Sequence, residues 1–444
     1  MNVRLEAGSD NPSVVGIRGR LLWYVSDPEA DDVAARRYVE DGLLVIENGR
    51  VREAGEASLL LPLVPEGTPV ADHRPYLVTP GFVDAHVHYP QTQVVASYGT
   101  QLLDWLERYT FPEEARFADP AHAAAGAAFF LDELLRNGTT TAAVFCTVHP
   151  ASVDAFFAES ERRGTRMIAG KVMMDQGAPA GLTDTAETGF RDSEALLARW
   201  HGRGRQLYAI TPRFAVTSSP AQLEAAGRLA AAHPECHVQT HISENLREIE
   251  AALAAHLGLP DYTAIYERYG LLGPRSLMGH CLHLSDSELD RFHRAGAAAV
   301  FCPTSNLFLG SGLFDWTRMG DVARPVRIAV GTDIGGGTSY SMLATMGEAY
   351  KVLQLQGQSL SPDAAFHAMT RGNAAALGLD GVVGSFEPGR EADIVVLDAA
   401  ATPATARRFE RVRTLEDELF LLTTMGDDRA VVATYVMGRE AHRR

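Results

Sequence analysis

Pro80-Gly-Phe-Val-Asp-Ala-His-Val-His-Tyr-Pro-Gln91 decides how the rest of the chain is read. Its apolar run from Phe82, with β-branched Val83 and Val87, has the composition of a buried strand and ends in two histidines two residues apart. Side chains alternate along a strand, so the His86 and His88 imidazoles leave one face together at its carboxyl end. Burying two imidazoles side by side without a shared ligand is costly, and two neutral ring nitrogens on one face suit zinc.

Seven more β-rich segments follow, at 139–145, 166–173, 207–211, 237–240, 276–279, 298–301 and 327–331, and they alternate with Ala/Leu-rich stretches of helical period. The helices carry their own punctuation. Asp119-Pro120 reads as an N-cap with a first-turn proline, Ser219-Pro220 and Ser361-Pro362 repeat it, and Ser285 with Glu288 forms a capping box before a helix ended by Gly296. Eight such βα units predict a parallel (β/α)8 barrel of the TIM type, with strands buried on both faces and chemistry at their carboxyl ends. The chain ends read differently. Short β pieces such as 43–47, the turn Asn48-Gly49, 393–397 and 431–437 predict a small β-sandwich domain built from both termini. The expected division is therefore 1–78 and 384–444 for that domain, with a helical insertion around 407–424, and 79–383 for the barrel.

Composition narrows the functions open to the chain. Its 444 residues allow a large core, and Lys+Arg 40 against Asp+Glu 56 gives a net charge of −16, which leaves no basic excess to displace counterions from nucleic acid. The four cysteines, Cys146, Cys236, Cys281 and Cys302, form no CxxC pair, so neither a disulfide framework nor a thiolate zinc site is expected and a reducing cytoplasm fits. Residues 1–8 lack the basic segment and apolar run of an export signal, and no apolar stretch approaches the ~18 residues of a membrane span. Nucleic acid and membrane are accordingly not expected as partners.

Other strand ends add to the histidine pair. His241 closes the fifth strand in Val-Gln-Thr-His-Ile-Ser-Glu-Asn, His280 closes the sixth, and Asp333 follows the eighth in Ala-Val-Gly-Thr-Asp. Polar groups placed jointly at four strand ends need shared partners, which points to a site at the barrel rim. His237, four residues before His241, is expected well below that rim.

Together these residues resemble the metal-dependent amidohydrolase superfamily over nearly the whole chain. The resemblance is carried by Pro80–Gln91, Gly170-Lys-Val-Met-Met-Asp175, Thr211-Pro-Arg-Phe214, Thr240-His-Ile-Ser-Glu-Asn245, Cys302-Pro-Thr-Ser-Asn306 and Gly331-Thr-Asp333. The first and last belong to the superfamily at large, whereas Gln91 and Arg213-Phe214 are similar to its guanine-deaminating branch. The resemblance implies one zinc ion per subunit held by His86, His88, His241 and Asp333. It also implies Glu244 as proton shuttle, His280 beside the bound water, and a purine held by Gln91, Arg213 and Phe214 with His241 facing it. A homodimer is the expected assembly, as the commonest closed oligomer.

The chemistry of these side chains agrees. Three neutral imidazoles leave zinc enough charge to lower the pKa of a bound water from ~15.7 toward ~7. Asp333 suits either metal binding or acceptance of the water's proton. Glu244, three residues past His241, is placed to carry that proton to a ring nitrogen and then assist departure of ammonia. The fourth strand ends in Thr211-Pro212 with no group to bridge two metals, so one ion is expected, and iron suits the same ligands. Guanidinium donors match the carbonyl oxygen at C6 of guanine, whereas adenine would set donor against donor, a mismatch that can discriminate by ~10⁴. Gly335-Gly336-Gly337 lacks the Lys and Ser/Thr of a phosphate loop and reads as close backbone approach. The long connection 89–117 reads as a lid or an oligomer contact. The rivals are a deaminase of a triazine, a pterin or an adenine-like base, and a zinc barrel that only binds purines. Glu244 argues against the last, since binding alone needs no proton shuttle.

Overall fold

In a computed structural model that describes residues 14–29, 32–99 and 101–444, the eight expected strands form one parallel run. They are β1 (Phe82–His88), β2 (Thr139–Phe145), β3 (Arg166–Gly170), β4 (Leu207–Pro212), β5 (His237–Ile242), β6 (Ser276–His280), β7 (Ala298–Phe301) and β8 (Arg327–Val330). Residues 1–8, read above for an export signal, lie outside the described residues. No helix among the described residues is long and apolar enough to cross a membrane.

The first and last strands close the ring through main chain and two buried side chains. Asp333 N–H donates to His86 O at 2.9 Å and His88 N–H donates to Ile334 O at 2.8 Å. Asp84 accepts from the backbone N–H of His86 and Thr332, both at 3.1 Å, and from the Thr332 hydroxyl. Asn373 ties the same seam lower down: its amide donates to Val83 O at 2.6 Å and Val330 O at 2.8 Å while accepting from Val330 N–H. A buried polar side chain bridging two parallel strands stabilises the seam only because all of its bonds are made.

The third segment is shorter than the expected 166–173. Main-chain pairing stops at Gly170 and resumes as Val172–Met173 beside Thr211 and Pro212. Gly170 abuts β4 so closely that a Cβ would lie 1.7 Å from Ala209 O. Lys171 then leaves the ladder, burying its ammonium against Asp184 and Val172 O. The expected helix caps are in place: Asp119 on Pro120–Arg136, Ser219 on Pro220–Ala232, Ser361 on Pro362–His367, and the Ser285/Glu288 box with left-handed Gly296 on Asp286–Ala295.

Both termini build the smaller β unit. Its strands, expected as a sandwich, are hydrogen-bonded side by side into one seven-stranded sheet. The order is Arg439–Arg443, Val431–Val436, Ile394–Leu397, Val70–Pro80, Val14–Tyr24, Arg36–Glu47 and Arg50–Glu56. The Val14–Tyr24 and Val70–Pro80 strands pair in parallel and the others antiparallel, and this one pairing joins the amino-terminal hairpin to the carboxyl-terminal strands. Asn48 and Gly49 both have positive φ, 52° and 77°, the backbone of the tight hairpin turn read from their sequence. The expected helical insertion is two helices, Pro403–Phe409 and Leu415–Met425.

Candidate active site

β1 ends in His86 and His88, β5 carries His241, β6 ends in His280, and Asp333 follows β8, so the fold brings all five to one rim. His88 Nε2 and His241 Nε2 lie 3.0 Å apart, and the Nε2 atoms of His86 and His88 each lie 3.4 Å from Asp333 Oδ1. One ligand atom from each of His86, His88, His241 and Asp333 falls within 4.8 Å of every other. His241 Nδ1 is 2.7 Å from Arg213 O. A carbonyl only accepts, so that nitrogen carries the proton and Nε2 presents its lone pair to the cluster.

Burial favours the neutral form of His88, His241 and His280. It pushes His88 below its ordinary value and His280 down to about 3, and it holds His241 well below, with the neighbouring His86, His88 and His280 adding to the effect. Burial alone would raise Asp333, but the His86 and His88 rings, each with Nε2 3.4 Å from its Oδ1, hold it well below the usual carboxylate range. His86 Nε2 and His280 Nε2 are buried with no hydrogen-bond partner. Orphaned nitrogens aimed at a carboxylate and two more imidazoles fit a metal ion: the donor set is three neutral nitrogens and one ionised oxygen.

The backbone around the rim is held in costly conformations. Ser243, His280 and Asp333 have φ of 52°, 73° and 51°. The left-handed region costs an L-residue about 1–2 kcal/mol, so the surrounding structure must over-determine these positions. For Asp333 the fixing bonds are His86 O and Gly337 N–H, the latter at 2.5 Å. Close approach at the three glycines accounts for their sequence: a Cβ on Gly335 would lie 2.5 Å from Gln91 O and one on Gly337 1.8 Å from Thr332 O.

Glu244 follows His241 at the start of the helix Leu246–Ala255. Its backbone N–H and that of Asn245 donate to Glu248 Oε2 at 2.8 and 3.1 Å, within a capping box that fixes the turn. Its carboxyl accepts from Ser311 Oγ at 2.9 Å and lies 3.3 Å from His280 Nε2. Burial, with the charges of Asp333 and Glu248 behind it, raises Glu244 well above the usual range, so it can hold a proton near neutral pH.

A cavity of about 390 Å³ opens over this cluster. His88, His241, Glu244, His280 and Asp333 form its floor; Gln91, Arg213 and Phe214 form one wall; Leu102, Trp105 and Leu106 from the connection 89–117 lie across it. Of the candidate metal, catalytic and purine-binding residues, only His86 does not line the cavity; it is buried within the four-residue cluster with His88, His241 and Asp333. Gln91 sits in the turn Tyr89–Val94 directly after β1, and Arg213 directly follows β4, with Phe111 stacked 5.4 Å from its guanidinium carbon.

A family model described as "Amidohydrolase family" matches residues 77–441. The chain belongs to the amidohydrolase family. It is 48% identical over 420 residues, 95% of each chain, to the guanine deaminase of Escherichia coli K12. The solved structure of E. coli guanine deaminase superposes with a TM-score of 0.95 at 47% identity, over 97% of this chain and all of that one. A crystal structure of guanine deaminase from C. acetobutylicum, with guanine bound in its active site, superposes with a TM-score of 0.86 at 28% identity over 96% of this chain and 99% of that one.

Three polar residues around this amidohydrolase site were not singled out by sequence reasoning. Ser311 reaches Glu244, Asn306 Nδ2 is 2.9 Å from His280 Nδ1, and Glu114 contacts both Gln91 and Arg213. Asn306 at least closes the stretch Cys302-Pro-Thr-Ser-Asn306 that carries part of the family resemblance. Glu114 follows Pro112 and Glu113 in what reads as the acidic first turn of a helix, a pattern with no catalytic signature.

Proposed function

We propose that this protein hydrolyses guanine to xanthine and ammonia, with one zinc ion per chain held by His86, His88, His241 and Asp333. One observation carries the reading: a single small cavity is lined by the imidazole–carboxylate cluster on its floor and by the amide of Gln91 and the guanidinium of Arg213 on its wall. The named activities of the E. coli and C. acetobutylicum relatives support the same substrate.

A bound divalent ion supplies Lewis acidity, bringing the pKa of water from ~15.7 toward ~7. The protein's own groups handle position and protons. Arg213 and Gln91 meet the oxygen at C6 and the adjoining edge, and Phe214 packs against the ring. This places C2 over the floor, where the oxygen of water adds to it. Glu244 takes the proton released by the water and delivers it to the ring nitrogen beside C2. His280 hydrogen-bonds the oxygen as it adds. Glu244, ionised again, takes the second proton from the added hydroxyl and passes it to the exocyclic nitrogen; the C2–N bond breaks, ammonia leaves, and C2 keeps a carbonyl oxygen. We read residues 79–383 as the catalytic barrel and 1–78 with 384–444 as its support, in a cytoplasmic homodimer.

The test is to incubate purified, zinc-loaded protein with guanine while following xanthine and ammonia. Equimolar release of both is expected; absence of turnover would overturn the proposal.

A further inference from the structure

Glu114 is buried to 1% exposure yet is not on the cavity wall; it stands behind the two side chains that are. Its oxygens are divided between them. Oε1 accepts from Gln91 Nε2 at 2.8 Å and Oε2 accepts from Arg213 Nη1 at 2.5 Å. An ionised carboxylate only accepts, so it dictates which end of the Gln91 amide turns toward it. The other end is also committed, because Gln91 Oε1 accepts from Gly335 N–H at 3.1 Å. Reversing the amide would set oxygen against carboxylate and N–H against N–H. Arg213, itself 2% exposed, takes its counter-charge from the same carboxylate. Its other guanidinium N–H groups have no protein partner among the described residues.

We propose that Glu114 is a positioning residue that sets selectivity for a 6-oxopurine, by locking the donor faces of Gln91 and Arg213 toward the substrate's carbonyl. This rests on the guanine reading above. Glu114 does not touch the reacting atoms; it makes a neutral, donor-lined wall out of a buried cation and a reversible amide. A purine with no oxygen at C6 then leaves those donors unpaired, and the wall rejects it.

Glu114→Gln has nearly the same shape but one acceptor and one donor, so it cannot receive both N–H groups and no longer balances Arg213. The informative substrates are guanine and 2-aminopurine, which carry the same amino group at C2 and differ in the oxygen at C6. KM for guanine is expected to rise about 10- to 100-fold, with a smaller change in kcat. The guanine/2-aminopurine ratio of kcat/KM should fall by a similar factor. A purely structural role would lower the melting temperature and leave that ratio in place. In a double-mutant cycle, Glu114→Gln on an Arg213→Met background should cost almost nothing further on guanine. If Glu114→Gln does not fold, Glu114→Asp, which keeps the charge but cannot span both partners, is read by the same ratio. An unaltered protein inert toward guanine sinks the functional reading and this one with it. An active unaltered protein whose variants keep the ratio, or show additive losses with Arg213→Met, overturns the role of Glu114 alone.

Discussion

At the amino ends of the strands, Arg166 and Arg205 meet Glu391 and Asp393, and each of these charges has a partner. Arg166 donates to both oxygens of Glu391 at 2.7 and 2.5 Å, and Arg205 donates to Glu391 at 2.9 Å and to both oxygens of Asp393 at 3.1 and 2.5 Å. At the carboxyl ends of other strands of the barrel, His86 and His280 keep buried ring nitrogens without partners, and the backbone adopts left-handed conformations at His280 and Asp333. Both clusters are buried and rich in titratable groups, so burial alone does not separate a structural site from a reactive one. Satisfaction does. A buried polar group left unpaired costs about 1–3 kcal/mol, and a fold retains such groups where a ligand completes them.

The sharpest way to test that contrast is at Glu244. Glu244→Gln preserves shape and leaves the four metal donors untouched, yet cannot take up and return a proton. Elemental analysis should find metal retained, while kcat on guanine falls by about 10²–10⁴. Turnover at the unaltered rate would remove Glu244 from the chemistry and leave the upper cluster without a proton carrier.

The opposite pattern is expected at the lower cluster. Glu391→Gln leaves two buried guanidinium groups short of counter-charge and should destabilise the fold by about 3–5 kcal/mol, read from denaturant unfolding. In the folded fraction, kcat/KM for guanine should stay as it was. If activity fell while the protein remained folded, the lower cluster would be coupled to the chemistry and the contrast would fail.

The sequence made the upper cluster legible because its residues occupy a recognisable register. A strand of alternating side chains points His86 and His88 the same way, and four of the eight strands closed by histidine or aspartate point to one rim. Helix caps were equally readable, since Asp119, Ser219, Ser285 and Ser361 act on bonds two or three residues away. What stayed hidden depends on distant pairing. The parallel union of Val14–Tyr24 with Val70–Pro80, which makes one sheet of both termini, is set by register between remote segments. Glu114 acquires its contacts only because the connection after β1 folds back beneath Gln91 and toward Arg213, 99 residues away in sequence. The break at Lys171 follows from contact between Gly170 and β4, which neither segment announces alone.

His237 offers the finest test, because it is a buried histidine on the same strand as His241 with one ring nitrogen paired and the other, Nδ1, without a partner. Its Nε2 donates to Leu377 O at 2.8 Å, and burial pushes its pKa down to about 4, against about 6.5 in an unfolded chain. Between those values the unfolded state binds a proton that the native state refuses, so stability rises with pH across the interval. The contribution is complete above about pH 6.5 and is lost as the pH falls toward 4, a difference of about 3 kcal/mol. His237→Gln keeps an N–H for Leu377 and cannot titrate. Unfolding free energies at pH 7 and pH 4 should therefore drop about 3 kcal/mol further in the unaltered protein than in the variant. Equal drops would mean that the ring accepts a proton in place, as a group open to a new partner would, and the division between the two ends of the barrel would no longer run through β5.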